Sequence, residues 1–108
     1  MSILEVIKDQ INQNDVILYM KGTPQFPQCG FSAQVIDALK PIGRQFAYVN
    51  ILENPEIRST LPEYANWPTF PQLWVKGELI GGCDIVMEMF RNGELKLLLE
   101  EAVPEQPA

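Results

Sequence analysis

The chain contains no histidine. That excludes Ser-His and Cys-His catalytic pairs, and with them every metal site built on imidazole. Only two cysteines occur in 108 residues. This is too few for a disulfide scaffold, and a chain of this length buries enough surface to fold without one. Basic residues are also scarce, eight against fourteen acidic, for a formal net charge of −6. Nucleic acids and anionic membranes are bound through clustered Lys and Arg, so neither is an expected partner. No apolar run approaches the roughly 20 residues that span a bilayer. The opening residues Met1-Ser2-Ile3-Leu4-Glu5 lack a basic stretch followed by an apolar core, so no secretory signal is read there. Together these absences point to one soluble domain in a reducing, cytoplasmic compartment.

What is present is an alternation of helix and strand signals. Ser2 and Glu5 form a capping-box pattern, and Ile3, Leu4, Ile7 and Ile11 follow at helical spacing, which predicts a helix over 3–13. Val16-Ile17-Leu18-Tyr19-Met20 is a short, β-branched apolar run, expected as a strand buried on both faces. A loop punctuated by Pro and Gly leads to a second helix from Gly30, closed by Pro41 and Gly43. Phe46 to Asn50 reads as a strand parallel to the first. Asn54-Pro55 opens a third helix that Pro62 is expected to break or bend. Gln72 to Val75 and Glu78 to Ile80 flank Lys76-Gly77 as a hairpin, and two helices begin near Asp84 and after Gly93. This order gives an α/β fold, a four-stranded mixed sheet flanked by helices, as in a thioredoxin-like fold. The domain is expected over residues 1–103, with 104–108 as a solvated tail.

The chemistry concentrates in three places. Cys29-Gly30-Phe31-Ser32 puts a sulfur at a helix N-terminus, where partial positive charge and unpaired N–H groups favour the thiolate. Lys21, at the end of the preceding strand, adds positive charge at the same sheet edge. A buried structural role is the ordinary reading of a free cysteine. Its Gly- and Pro-rich loop argues for function instead. Ser32 cannot resolve a mixed disulfide as a second cysteine would, so Cys29 must work with Cys83, another protein copy or a small thiol such as glutathione. In Trp67-Pro68-Thr69-Phe70-Pro71 the prolines stiffen an edge before a strand, with Trp67 and Phe70 otherwise read as core. X-Pro bonds are cis in only about 5–6% of cases, so the residues alone favour trans before Pro71. In Gly81-Gly82-Cys83-Asp84 a helix start offers N–H groups to a carboxylate. Asp84 reads as an N-cap or as a partner for a ligand ammonium. Arg58 and Lys21 are candidate clamps for a second carboxylate.

With these residues in view, the chain resembles the monothiol glutaredoxins of the Cys-Gly-Phe-Ser class, in their short single-domain bacterial form. The resemblance rests on Tyr19-Met20-Lys21-Gly22, Pro27-Gln28-Cys29-Gly30-Phe31-Ser32, Asn66-Trp67-Pro68-Thr69-Phe70-Pro71-Gln72 and Gly81-Gly82-Cys83-Asp84, in that order along the chain. It implies a thioredoxin fold with a cis bond before Pro71 and a glutathione groove. Lys21 and Arg58 would hold the glycyl carboxylate, and the Phe70 backbone would pair with the cysteinyl part. Cys83 and Asp84 would take the γ-glutamyl end, while Thr69 and Trp67 shape the wall. Asn50 stands where that family often has Asp, and Pro41 at a helix end usually free of proline; neither falls in a functional motif.

The resemblance further implies a [2Fe–2S] cluster. Such a cluster takes four ligands, usually thiolates. Cys29 and one glutathione from each of two copies would supply them, so the loaded form is expected as a symmetric homodimer. A BolA-like protein and apo iron–sulfur acceptor proteins are the further partners implied. The leading expectation is thus a carrier that passes [2Fe–2S] to acceptors and takes part in iron homeostasis. The alternative is a glutathione-dependent thiol-disulfide oxidoreductase acting through Cys29. Whether the protein is an enzyme therefore depends on which of these dominates.

Overall fold

In the computed structural model, residues 1–104 are described. The helices are α1 (Ile3–Gln13), α2 (Gly30–Leu39), α3 (Pro55–Ala65), α4 (Cys83–Asn92) and α5 (Glu94–Ala102). The strands are β1 (Val16–Met20), β2 (Ala47–Asn50), β3 (Gln72–Val75) and β4 (Glu78–Gly81). They form one sheet in the order β2-β1-β3-β4. β1 is parallel to β2 and antiparallel to β3, and β3–β4 is an antiparallel hairpin. Of the expected tail, residues 105–108 lie outside the described residues. No described helix is long and apolar enough to cross a membrane.

The two-residue period of β1 divides the core. Val16, Leu18 and Met20 face one layer, with Val35, Ile36 and Leu39 of α2, Val86 of α4 and Leu95 and Leu99 of α5. Ile17 and Tyr19 face the other, with Ile7 and Ile11 of α1 and Ile57 and Leu61 of α3. All five β1 residues are buried, which explains why the run is apolar throughout rather than alternating. Each large side chain so buried contributes about 1.5–3 kcal/mol. β1 is thereby held in the core from both faces, and Lys21 follows directly at its C-terminal end.

Several local expectations need correction. β2 begins at Ala47; Phe46 instead packs half-buried against the α2 layer. Pro62 does not break α3, which runs through it to Ala65. Proline removes one backbone donor there, but Ile57 and the fully buried Leu61 hold the helix to the core on that side. The helix then closes with Asn66 in the left-handed region, φ 51°, and Trp67 N–H on the Pro62 carbonyl at 3.1 Å. Asn54 holds the cap position before Pro55, but its side chain makes no cap bond; it donates to the Asn50 carbonyl at 2.8 Å. At the hairpin, Lys76 and Gly77 both have positive φ, 51° and 81°. That pair is the signature of a type I′ turn, whose twist matches the strands.

Candidate functional site

α2 starts one residue after Cys29, and the cysteine itself is its N-cap. Its sulfur accepts the Ser32 backbone N–H at 3.3 Å. The Ser32 hydroxyl lies 3.3 Å from the same sulfur, accepting from the thiol and donating to the thiolate. Ser32 is fully buried, and its Oγ also accepts the Lys21 backbone N–H at 3.1 Å. Burial alone would push the Cys29 thiol up. The Ser32 hydroxyl, the Ser32 and Phe31 amides and the Lys21 charge together outweigh it, so the thiol ionises below its ordinary value.

Cys83 behaves oppositely. Burial pushes it up, and the negative charges of Asp84 and Cys29 push it further. Its S–H donates to Gln34 Oε1 at 3.4 Å. Both cysteines are free and half-buried. Two thiols shifted in opposite directions therefore share this edge of the sheet, Cys29 being the more readily ionised. Limiting iodoacetamide at neutral pH should accordingly label Cys29 ahead of Cys83, as read by peptide mass. In Ser32→Ala the pH inflection of Cys29 alkylation should move upward, because only the thiolate gains from the lost O–H donor. Below the inflection the rate should fall about tenfold, the worth of one charge-assisted hydrogen bond. An unmoved inflection would show that the hydroxyl does not stabilise the thiolate.

Beside the thiol runs an open groove of about 700 Å³. Lys21, Arg58, Thr69, Phe70, Cys83 and Asp84, all singled out from sequence, line it together with Trp67. Pro71 lies buried beneath, and the Phe70–Pro71 bond is cis. Cys29 is not itself a lining residue, but Phe31, two positions on, is. Lys21 and Arg58 supply positive charge to the groove, and the first turn of α4, which also lines it, presents N–H groups. Gly82, not Asp84, caps α4, so the N-cap reading of Asp84 is wrong. Because the backbone turns at Gly82, Asp84 falls inside the first turn, exposed at the groove. Phe70 serves twice, lining the groove and packing half-buried against the α1–α3 layer. Trp67 also lines the groove, while its Nε1–H is buried without a partner.

Sequence reasoning missed what holds this wall in place. Gln72 is fully buried at the start of β3. Its Nε2 donates to the Trp67 and Thr69 carbonyls at 3.0 and 3.3 Å, and its Oε1 accepts Trp74 Nε1–H at 3.2 Å. A polar residue opening an otherwise apolar strand was the available signal. Phe31, Pro62, Pro68, Gly82 and Ile85 also line the groove without having been assigned to it.

A mixed sheet of this order, with a sulfur capping the helix after β1 and a cis-proline loop across from it, is a thioredoxin-like thiol protein. The glutaredoxin family model matches residues 16–80. Glutaredoxin 4 of Buchnera aphidicola subsp. Acyrthosiphon pisum is 67% identical over 99 residues, 92% of each chain. The solution structure of reduced poplar apo GrxS14 is similar at 46% identity and a TM-score of 0.79, covering 94% of this chain and 93% of that one. The crystal structure of a buckwheat glutaredoxin–glutathione complex is similar at 25% identity and a TM-score of 0.79, covering 92% and 88%. The chain belongs to the glutaredoxin family, and with Ser32 in place of a second motif cysteine it is of the monothiol Cys-Gly-Phe-Ser class.

Proposed function

We propose that the groove binds glutathione and that two copies, each contributing Cys29 and one glutathione thiol, carry a [2Fe–2S] cluster as cargo to acceptor proteins. The observation that carries this reading is a single sulfur beside the groove, hydrogen-bonded so as to favour its thiolate form, with buried Ser32 where a resolving thiol would stand. Among the described residues no group of three or more His, Cys, Asp or Glu could hold a metal. In this reading the remaining ligands come from a second copy and a small thiol. Glutathione matches the groove's charge layout, since it has a carboxylate at each end. Lys21 and Arg58 receive the glycyl carboxylate, and the Phe70 backbone pairs with the cysteinyl part. The α4 N–H groups at Cys83 take the γ-glutamyl carboxylate, with Asp84 at its ammonium. Thr69 and Trp67 form the wall, and Pro71 supports it. The working compartment is the reducing cytoplasm, and a BolA-like protein is an alternative to the second copy.

Anaerobic reconstitution with iron, sulfide and glutathione tests this, with visible absorption and size-exclusion chromatography on one sample. A cluster spectrum in a dimer peak that disappears when glutathione is withheld is the expected result. A colourless monomer that rapidly reduces glutathione mixed disulfides would establish the second reading, which the readier ionisation of the Cys29 thiol also favours. In that reaction Cys29 attacks the glutathionyl sulfur of a client mixed disulfide and the client thiolate leaves. A second glutathione thiolate then attacks the glutathionyl sulfur on Cys29, releasing glutathione disulfide and regenerating the thiolate.

A further inference from the structure

The parallel β1–β2 ladder ends where Met20 stands opposite Asn50. The next backbone bond, Ile51 N–H to the Met20 carbonyl at 2.9 Å, closes it. Beyond this point the two main chains diverge, yet one more rung is made by a side chain. Asn50 Oδ1 accepts the Gly22 N–H at 2.9 Å. The same oxygen accepts the Leu52 N–H at 3.0 Å, an Asx turn that fixes the Asn50 side chain. Gly22 has little freedom to find another partner. Its φ is +94°, and a Cβ there would stand 2.5 Å from the Phe26 carbonyl oxygen and 2.7 Å from the Gln28 nitrogen. Between this rung and the thiol lies Lys21. Its N–H goes to Ser32 Oγ at 3.1 Å and its carbonyl takes the Gln28 N–H at 2.8 Å.

We propose that Asn50 is a positioning residue: by holding Gly22 it sets where Lys21 stands in the groove, and so the affinity for the glycyl carboxylate of glutathione. This rests on the groove being a glutathione site. The role needs a short side chain ending in an sp² oxygen. Aspartate meets that requirement, alanine has no acceptor, and glutamine is one methylene too long for the Asx turn.

The test titrates reduced glutathione and its glycyl ethyl ester into the apo protein, followed by amide chemical shifts, for wild type, Asn50→Ala and Asn50→Asp. Asn50→Ala should bind glutathione more weakly by up to about fivefold, the worth of one net hydrogen bond, because Lys21 must then be ordered when the ligand binds. It should bind the ester almost as wild type does, because esterification has already removed the carboxylate that Lys21 meets. Asn50→Asp should return glutathione binding to within about twofold of wild type. Equal losses for both ligands, or no rescue by aspartate, would overturn the proposal. Amide hydrogen exchange without ligand supplies an independent readout. The Gly22 N–H should be protected in wild type and Asn50→Asp and exposed in Asn50→Ala, with Leu18 protected in all three as a check on the core. An unprotected Gly22 in wild type refutes the role of Asn50, whereas wild type that binds no glutathione refutes the groove assignment.

Discussion

A Cys29→Ser variant carried through anaerobic reconstitution with iron, sulfide and glutathione is expected to emerge colourless. Serine fits the helix cap and preserves the N–H contacts, so the fold should persist and thermal unfolding should verify it. Its hydroxyl stays protonated at neutral pH and offers no soft anionic ligand. No neighbour can substitute. The chain has no histidine, and ionisation of the one other thiol, Cys83, is still opposed in the variant by burial and by the Asp84 charge. Cys83→Ser should correspondingly keep its colour. A full cluster spectrum in Cys29→Ser would remove this sulfur from the chemistry altogether.

The second large effect is structural. Gln72→Leu should lower the stability of the fold by about 3–5 kcal/mol in urea unfolding. Three groups lose their partner at once: the part-buried Trp67 and Thr69 carbonyls and the buried Trp74 Nε1–H. A buried polar group left unpaired costs about 1–3 kcal/mol. Leucine recovers part of that by its own apolar burial, and the exposed end of the loop relaxes toward water, which keeps the total in the lower part of the summed range. The loop that Gln72 secures is the groove wall, so glutathione binding should weaken as well. A loss below about 1 kcal/mol would mean that the loop holds its shape without the amide.

Much of the fold was legible because its signals are periodic. β1 reads as buried from five apolar residues in a row, and α1 from Ser2 and the spacing of its isoleucines; both are local patterns that tertiary packing reinforces. The groove was legible in a different way. Most of its residues lie in four separated motifs, with Arg58 standing apart from them on α3, and the chain order of helices and strands brings them to one edge of the sheet. What stayed hidden depends on partners distant in sequence. Asn50 reads as an ordinary strand-end polar residue until its oxygen is seen on Gly22. Gln72 reads as one member of a motif until its three bonds are traced. Pro62 carries a strong local penalty that the burial of Leu61 overrides, which no window around the proline contains. Asp84 was misplaced by a small difference in where the backbone turns, since Gly82 can cap as well.

The two tryptophans give this molecule a pair of built-in optical reporters for different events. Trp74 is nearly dry, its indole N–H bound to Gln72 and its ring stacked 6.1 Å from Tyr64 in the layer beneath the sheet. Its emission is governed by whether the core is assembled. Trp67 stands in the groove wall with its N–H unpaired, where any occupant alters the polarity around the ring. With Trp74 replaced by phenylalanine the remaining emission reports occupancy, and with Trp67 replaced it reports folding. Groove occupancy and unfolding can thus be followed separately, without a label.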